Sequence, residues 1–135
     1  MIVVDASVLV TALSDDGDDG RRVRHRIVGE RLIAPEIIDL EVASVLRWLC
    51  AADRLASQRA EQALADLAAI RLRRVPHRLL LQRCWELRHN NTVYDAAYVA
   101  VAEATSSILL TADEHLSSAP PCFSRQALNS ASRSL

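Results

Sequence analysis

Four acidic residues stand out because each one ends or interrupts an apolar segment: Asp5, Glu41, Asp95 and Asp113. Carboxylate oxygens are the ligands that Mg²⁺ and Mn²⁺ prefer, and these ions keep several waters and bind phosphates directly. An ion held in this way polarises a phosphodiester and generates hydroxide from water. The four histidines show no zinc-ligand spacing. The sequence therefore predicts a Mg²⁺ or Mn²⁺ site suited to phosphodiester hydrolysis.

Glu41 lies on an apolar face of its predicted helix. At 100° per residue, Ile37, Val45 and Trp48 fall within about 40° of Glu41 around the helix axis. An unpaired buried carboxylate is strongly unfavourable, so this glutamate needs an arginine partner, a raised pKa or a cation. Asp39 lies near the far edge of the apolar arc and is better explained as a surface or first-turn acid.

Asp95 is the single acid in the segment 93–102, whose other residues are apolar or aromatic. Since such a helix has no polar face, we expect the rest of the protein to enclose most of it. Asp95 also follows Thr92 within the first helical turn, where the helix dipole favours an anion. That structural role is an alternative to metal binding.

Asp5 and Asp113 follow predicted strands rather than lying inside helices. In parallel α/β sheets, ligands collect outside the carboxyl ends of the strands, so both acids are expected at one edge of the sheet. A helix N-cap is the structural alternative for either residue, because aspartate is common there.

Short apolar strands alternate with helices along the chain. Strand patterns occupy residues 2–4, 32–34, 70–75 and 107–111, with one more near Cys122 and Phe123. Helical patterns occupy residues 7–13, 21–30, 37–51, 57–70, 78–88 and 92–104. The segment 70–75 alternates apolar residues with arginine, as an edge strand does, and Pro35 suits the first turn of the third helix. The alternation predicts an α/β fold with a short, mostly parallel sheet covered on both faces.

The 135 residues are expected to form one domain, with 124–135 as a flexible tail. The sequence shows neither a signal peptide nor an apolar run of membrane-spanning length. The three cysteines are far apart and lack a CxxC spacing, so reduced structural thiols are predicted for Cys50, Cys84 and Cys122. A cytoplasmic protein without membrane attachment is expected.

All sixteen basic residues are arginines, which excludes P-loop and Schiff-base chemistry that depends on lysine. The arginines form two clusters: Arg21, Arg22, Arg24 and Arg26, then Arg71, Arg73, Arg74 and Arg78. Such clusters can hold phosphates, although a solvated helix face explains them more often. By themselves they are a weak signal for nucleic-acid binding.

Four segments around the acids together resemble the PIN-domain family and, within it, the VapC-type toxins of bacterial toxin–antitoxin pairs. They are IVVDAS at 2–7, EVASVLR at 41–47, NNTVYDAAYVA at 90–100 and TADEHL at 111–116. The third segment is the most specific, and the resemblance runs nearly end to end. Asn91 stands where the family more often has an apolar residue, a departure that affects local packing rather than chemistry.

The resemblance implies a PIN-like three-layer α/β/α fold and an endoribonuclease toxin that depends on Mg²⁺ or Mn²⁺. The four acids would form its site, and Ser7, Asn90 and Thr111 match polar positions beside it. The resemblance also implies a homodimer held inactive by a VapB-type antitoxin, and the apolar helix 37–51 suits either interface. The acids of the loop 15–19 are not expected to be ligands.

Three alternatives share parts of this pattern. A PIN-like nuclease acting on DNA would use the same acids, because recognition of the 2′-OH depends on loop geometry. A PIN-like module that binds RNA or a protein without cutting has no need of buried carboxylates facing phosphates. A phosphoacceptor receiver domain needs a late lysine, which this chain lacks. RNA cleavage is the leading hypothesis, and the first two alternatives remain open.

Overall fold

The protein is described by a computed structural model, which covers residues 1–112 and 126–127. In this part the chain forms five strands, six α-helices and one short 3₁₀ helix, and the strands alternate with the helices as predicted. In chain order the elements are β1 Ile2–Val4, α1 Ala6–Ser14, α2 Asp18–Ile27, β2 Leu32–Pro35, α3 Ile38–Ala51, α4 Ser57–Ala69, β3 Leu72–Val75, the 3₁₀ helix His77–Leu80, α5 Leu81–Glu86, α6 Val93–Thr105, β4 Ile108–Thr111 and β5 Gln126–Ala127.

The five strands form one parallel sheet in the order β3-β2-β1-β4-β5. The chain moves outward from β1 to β3 and then returns past β1 to β4. Because crossovers between parallel strands are right-handed, this reversal places α1–α4 on one face and α5–α6 on the other. Accordingly, α1 packs against α2, α3 and α4, while α6 packs against α5, β1, β2 and β4. The predicted three-layer α/β/α fold is confirmed.

The core lies between β1 and the two helical layers. Ile2, Val3 and Val4 are buried, as β-branched residues of a central strand covered on both faces should be. In α6, every residue from 96 to 102 is buried, and four of the seven are alanines that let the helix lie close to the sheet. The expectation that this helix is enclosed is confirmed. Within the described residues, no helix is both long and apolar enough to cross a bilayer.

Two local predictions were wrong. Asp18 and Asp19 belong to the first turn of α2 rather than to a loop, where the helix dipole stabilises their negative charges. Pro35 ends β2 instead of starting α3. Pro35 lies beyond the last β1–β2 pair, which ends at Ile33. The missing N–H of Pro35 therefore removes no hydrogen bond between β2 and β1.

The ends of the sheet agree in part with the sequence patterns. The segment predicted as an edge strand forms β3, at one edge of the sheet. The strand predicted near Cys122 lies outside the described residues. Within the predicted tail 124–135, β5 pairs with Leu110 and Thr111 of β4, and the other residues of that segment lie outside the described part.

Candidate active site

Asp5 directly follows the central strand β1 and begins α1. Its Oδ1 caps the helix by accepting from the Val8 N–H at 3.0 Å, and it also accepts from Ser7 Oγ at 2.5 Å. Its Oδ2 accepts from the Thr111 hydroxyl at the end of β4. Only 3% of Asp5 is exposed. The N-cap role is therefore real, and it fixes this carboxylate at the carboxyl edge of the sheet.

Ser7 and Thr111 join the ends of two neighbouring strands through Asp5. Ser7 Oγ donates to Asp5 and accepts from the Ala112 N–H at 3.0 Å, so one hydroxyl bridges α1 and the segment after β4. Thr111 is fully buried at the last position of β4. Both residues, predicted as polar positions beside the site, hold the Asp5 carboxylate in one orientation.

Glu41 is a desolvated carboxylate in the first turn of α3. Its Oε2 accepts from the Tyr98 hydroxyl at 3.3 Å, whereas its buried Oε1 has no hydrogen-bond partner among the described residues. Burial raises the pKa of Glu41, and the negative charges of Asp95 and Asp5 raise it further, against the opposing bond from Tyr98. No basic side chain in the described part of the chain offsets this cost, so the unfavourable charge predicted for Glu41 is present in the structure.

The surroundings of Glu41 differ from the predicted buried stripe. Val45 and Trp48, which share its helix face, are 38% and 56% exposed. The apolar arc of α3 is wide enough to cover two environments, and Glu41 lies on the half that faces a cleft rather than the core. The core-facing half is a stripe spaced by four residues: Ile38, Val42 and Leu46.

Asp95 occupies the third position of α6, with its backbone N–H donating to Thr92 Oγ1 at 3.1 Å. It is half-buried, whereas Val93 and Tyr94 before it are exposed. The capped amino end of α6 therefore presents Asp95 at the boundary between the enclosed helix and solvent. Its charge reaches Glu41, whose pKa it raises.

The three carboxylates line a single cleft of about 640 Å³ at the carboxyl edge of the sheet. Asp113 lies outside the described residues. Asn90 is exposed in the turn before α6 and is not among the residues that line the cleft. The lining residues are Asp5, Ala6, Ser7, Val10, Thr11, Ser14, Asp15, Asp16, Glu41, Val45, Leu49, Arg54, Leu55, Asp95 and Tyr98.

Residues 2–120 match the PIN domain family. The chain belongs to the PIN-domain family. Ribonuclease VapC9 of Mycobacterium tuberculosis is 44% identical over 117 residues, which cover 87% of this chain and 89% of VapC9. Ribonuclease VapC1 of the same species is 39% identical over 123 residues, covering 89% and 92% of the two chains. The resemblance to VapC-type toxins is confirmed at the level of the family.

A solved structure supports the fold of this PIN domain. The crystal structure of Mycobacterium tuberculosis VapC20, a toxin that cleaves the sarcin–ricin loop, matches with a TM-score of 0.68. The match covers 87% of this chain and 93% of VapC20. Sequence identity is 17%, so the likeness concerns the fold.

The donor set of this PIN domain fits a hard divalent ion. Asp5, Glu41 and Asp95 offer oxygen atoms only, and the unpartnered oxygen of Glu41 is the kind of group that a cation stabilises. In residues 1–112 and 126–127, no three carboxylate, histidine or cysteine side chains lie close enough to chelate an ion unaided. Mg²⁺ tolerates this arrangement because it retains waters and takes only one or two carboxylates directly.

Sequence reasoning missed Tyr98. It follows Asp95 by three residues, a spacing that puts both side chains on one face of α6, and this was the signal available. Tyr98 is almost fully buried. Burial, followed by the negative charge of Glu41, raises the pKa of Tyr98, so its hydroxyl stays protonated and donates to Glu41.

Neither arginine cluster lines the cleft, and each contains one arginine that stabilises the fold. In the first, Arg24 donates to two backbone carbonyls near the end of α1, at 3.0 and 2.7 Å. In the second, Arg74 forms a double hydrogen bond to Asp39 at 2.6 and 2.9 Å. Arg54 belongs to neither cluster, and among the described residues it is the one basic side chain that lines the cleft.

Proposed function

We propose that this protein is an endoribonuclease toxin that depends on Mg²⁺ or Mn²⁺. The observation that carries the proposal is the convergence of Asp5, Glu41 and Asp95 on one cleft, with a desolvated glutamate oxygen that lacks a partner among the described residues. Asp113 is proposed as the fourth acid because it follows β4, which is adjacent to β1. The 44% identity to a protein named as a ribonuclease supports RNA as the substrate.

The residues of this chain supply a rigid anionic pocket for that chemistry. A bound divalent ion would polarise the phosphodiester and lower the pKa of the attacking water. Ser7 and Thr111 keep both oxygens of Asp5 oriented, so this carboxylate does not reorganise when substrate arrives. Tyr98 performs the same task for one oxygen of Glu41 and leaves the other available.

The acidic site is tested with Asp5→Asn and Asp95→Asn. Asparagine at position 5 still caps α1, and asparagine at position 95 leaves the Thr92 cap of α6 in place, so both variants are expected to fold. RNA cleavage in Mg²⁺ should fall by at least about 100-fold. Circular dichroism confirms folding, and gel electrophoresis of labelled RNA measures cleavage. Asp19→Asn, at an exposed position of α2, serves as the matched control and should cleave normally. Cleavage at the parent rate by either site variant would show that the assignment is wrong.

The same assay separates the two remaining alternatives. A DNA strand of identical sequence should stay intact under conditions in which the RNA is cut. Cleavage of DNA alone would identify a DNA nuclease, and binding without any cleavage would identify a PIN module that only binds.

We further propose a cytoplasmic homodimer that a VapB-type antitoxin neutralises. Exposed apolar side chains on the 3₁₀ helix and α5 support a protein interface: Leu79 is 71% exposed, Leu81 55% and Trp85 64%. Expression alone should arrest growth, and co-expression of a small partner encoded beside the gene should relieve the arrest. Light scattering should report twice the monomer mass. Harmless expression of folded protein would contradict the toxin assignment.

A further inference from the structure

The cleft proposed for RNA cleavage is acidic, although its substrate is a polyanion. Five of its lining residues are carboxylates, and Arg54 is the one basic lining residue in the described part of the chain. Asp16 is already paired with Arg59 at 3.0 Å. No ion pair among the described residues includes Arg54. Within that part of the chain its guanidinium is exposed and is available to an external anion.

The position of Arg54 is fixed by the end of α3. Asp53 adopts a left-handed conformation with φ 53°, and its N–H donates to the carbonyl of Cys50 at 3.1 Å. The Arg54 N–H donates to the carbonyl of Leu49 at 2.9 Å. These two bonds form a Schellman motif, which anchors the backbone of Arg54 at the cleft while its side chain stays exposed.

Arg54 also lies over an exposed aromatic ring. Its guanidinium carbon is 5.5 Å from the centroid of Trp48, which is 56% exposed. Trp48 follows Glu41 by seven residues, so it shares the helix face of Glu41 about 10 Å further along α3. At that distance from Glu41, an indole beside a guanidinium suits the binding of a neighbouring nucleotide rather than of the phosphate that is cut.

We propose that Arg54 and Trp48 form a nucleotide-binding subsite at the rim of the acidic cleft. Arg54 binds a backbone phosphate of single-stranded RNA, and Trp48 stacks on the adjacent base. This inference rests on the proposed function, since it assigns the contact that brings RNA into the cleft. Stacking tolerates any base, so the subsite contributes affinity for unpaired RNA and little sequence preference.

The phosphate contact is tested by RNA binding without cleavage. The probe is a fluorescein-labelled 12-nucleotide single-stranded RNA, measured by anisotropy in EDTA. Arg54→Ala should weaken binding about 10-fold and lower the slope of log K against log salt by about 0.7, the value of one phosphate on a single strand. Arg88→Ala is the matched control, because Arg88 lies 4.4 Å from the ring of Trp85 and does not line the cleft. It should bind within about twofold of the parent.

The stacking contact is tested with a fully abasic strand of the same length. Trp48→Ala should weaken binding of the intact RNA about 10-fold. The abasic strand should bind the parent and Trp48→Ala equally, because no base remains to stack on the indole. In Mg²⁺, both Arg54→Ala and Trp48→Ala should raise KM for RNA cleavage and leave kcat within about threefold.

The outcomes distinguish this subsite from the proposed activity. If the Arg54 and Trp48 variants bind RNA as the parent does, the subsite is refuted while nuclease activity stands. If the parent binds RNA through these residues but does not cut, the activity is refuted and the subsite stands. A Trp48→Ala variant that changes the oligomeric state with unchanged RNA affinity would show that this surface is a protein interface, and would overturn the proposal.

Discussion

Replacing Glu41 with glutamine should stabilise the metal-free protein while abolishing cleavage. Glutamine keeps the shape of the side chain and an oxygen that accepts from Tyr98, but it removes the negative charge that Asp95 and Asp5 oppose. Because the amide left by the substitution is neutral, the gain comes from removing a desolvated charge, and the half-buried position keeps it at about 1 kcal/mol. A gain of about 1 kcal/mol corresponds to a rise in Tm of roughly 3 °C for a domain of this size.

The pH dependence of this gain follows from the direction of the pKa shift. Burial raises the pKa of Glu41 in the folded state, so the folded protein binds its proton more tightly than the unfolded chain does. The charged form destabilises the parent at pH values above the raised pKa. The penalty disappears as the pH falls below the ordinary glutamate value of 4.5. The variant should therefore exceed the parent in Tm at pH 7.5 and match it near pH 4.

The assay is thermal unfolding in EDTA at both pH values, followed by the same measurement in Mg²⁺. Added Mg²⁺ should raise the Tm of the parent more than that of Glu41→Gln, because the variant has lost a charged ligand. Glu61→Gln, at an exposed position of α4, is the matched control and should leave Tm unchanged. A lower Tm for Glu41→Gln at pH 7.5, or an equal gain at both pH values, would refute the reasoning.

Three further substitutions test how the fold positions the site. At Gly20 a Cβ atom would lie 1.8 Å from the carbonyl oxygen of Asp15, so Gly20→Ala should cost about 3 kcal/mol in urea unfolding. Gly17→Ala, whose Cβ meets a movable side-chain oxygen at 3.1 Å, should cost less than about 1 kcal/mol; equal losses would contradict this account. Thr111→Val removes the hydroxyl bound to Asp5 and should lower kcat about 10-fold with little change in KM. A parent-like kcat would show that Thr111 does not position Asp5.

Much of the scaffold was predictable because its determinants are local. The β-branched run ending at Asp5 defines β1, since three consecutive buried residues suit a central parallel strand. The absence of a polar face in the segment after Asp95 correctly predicted an enclosed helix. The sequence also singled out Glu41 and Asp95 as charges in unfavourable surroundings, because a charge within an apolar pattern conflicts with the burial that the pattern requires.

Other features of the cleft depend on contacts that a local pattern does not encode. Periodicity assigned Val45 and Trp48 to the same face as Glu41, but it could not tell that this face borders a cleft instead of the core. Arg54 carries no sequence signal of its own. It reaches the cleft because the left-handed turn at Asp53 redirects the chain at the end of α3.

The sequence by itself determined the alternation of strands and helices, the segments that are buried, and which acids stand in unfavourable surroundings. Tertiary structure alone decided which of them share a cleft. Thr111 and Asp5 are 106 positions apart in the sequence and form a hydrogen bond because β4 pairs with β1. Tyr98 and Glu41 are 57 positions apart and form one because α6 packs over the sheet near the start of α3. Such pairings follow from strand order and helix packing, which are cooperative properties of the whole chain rather than of any one segment.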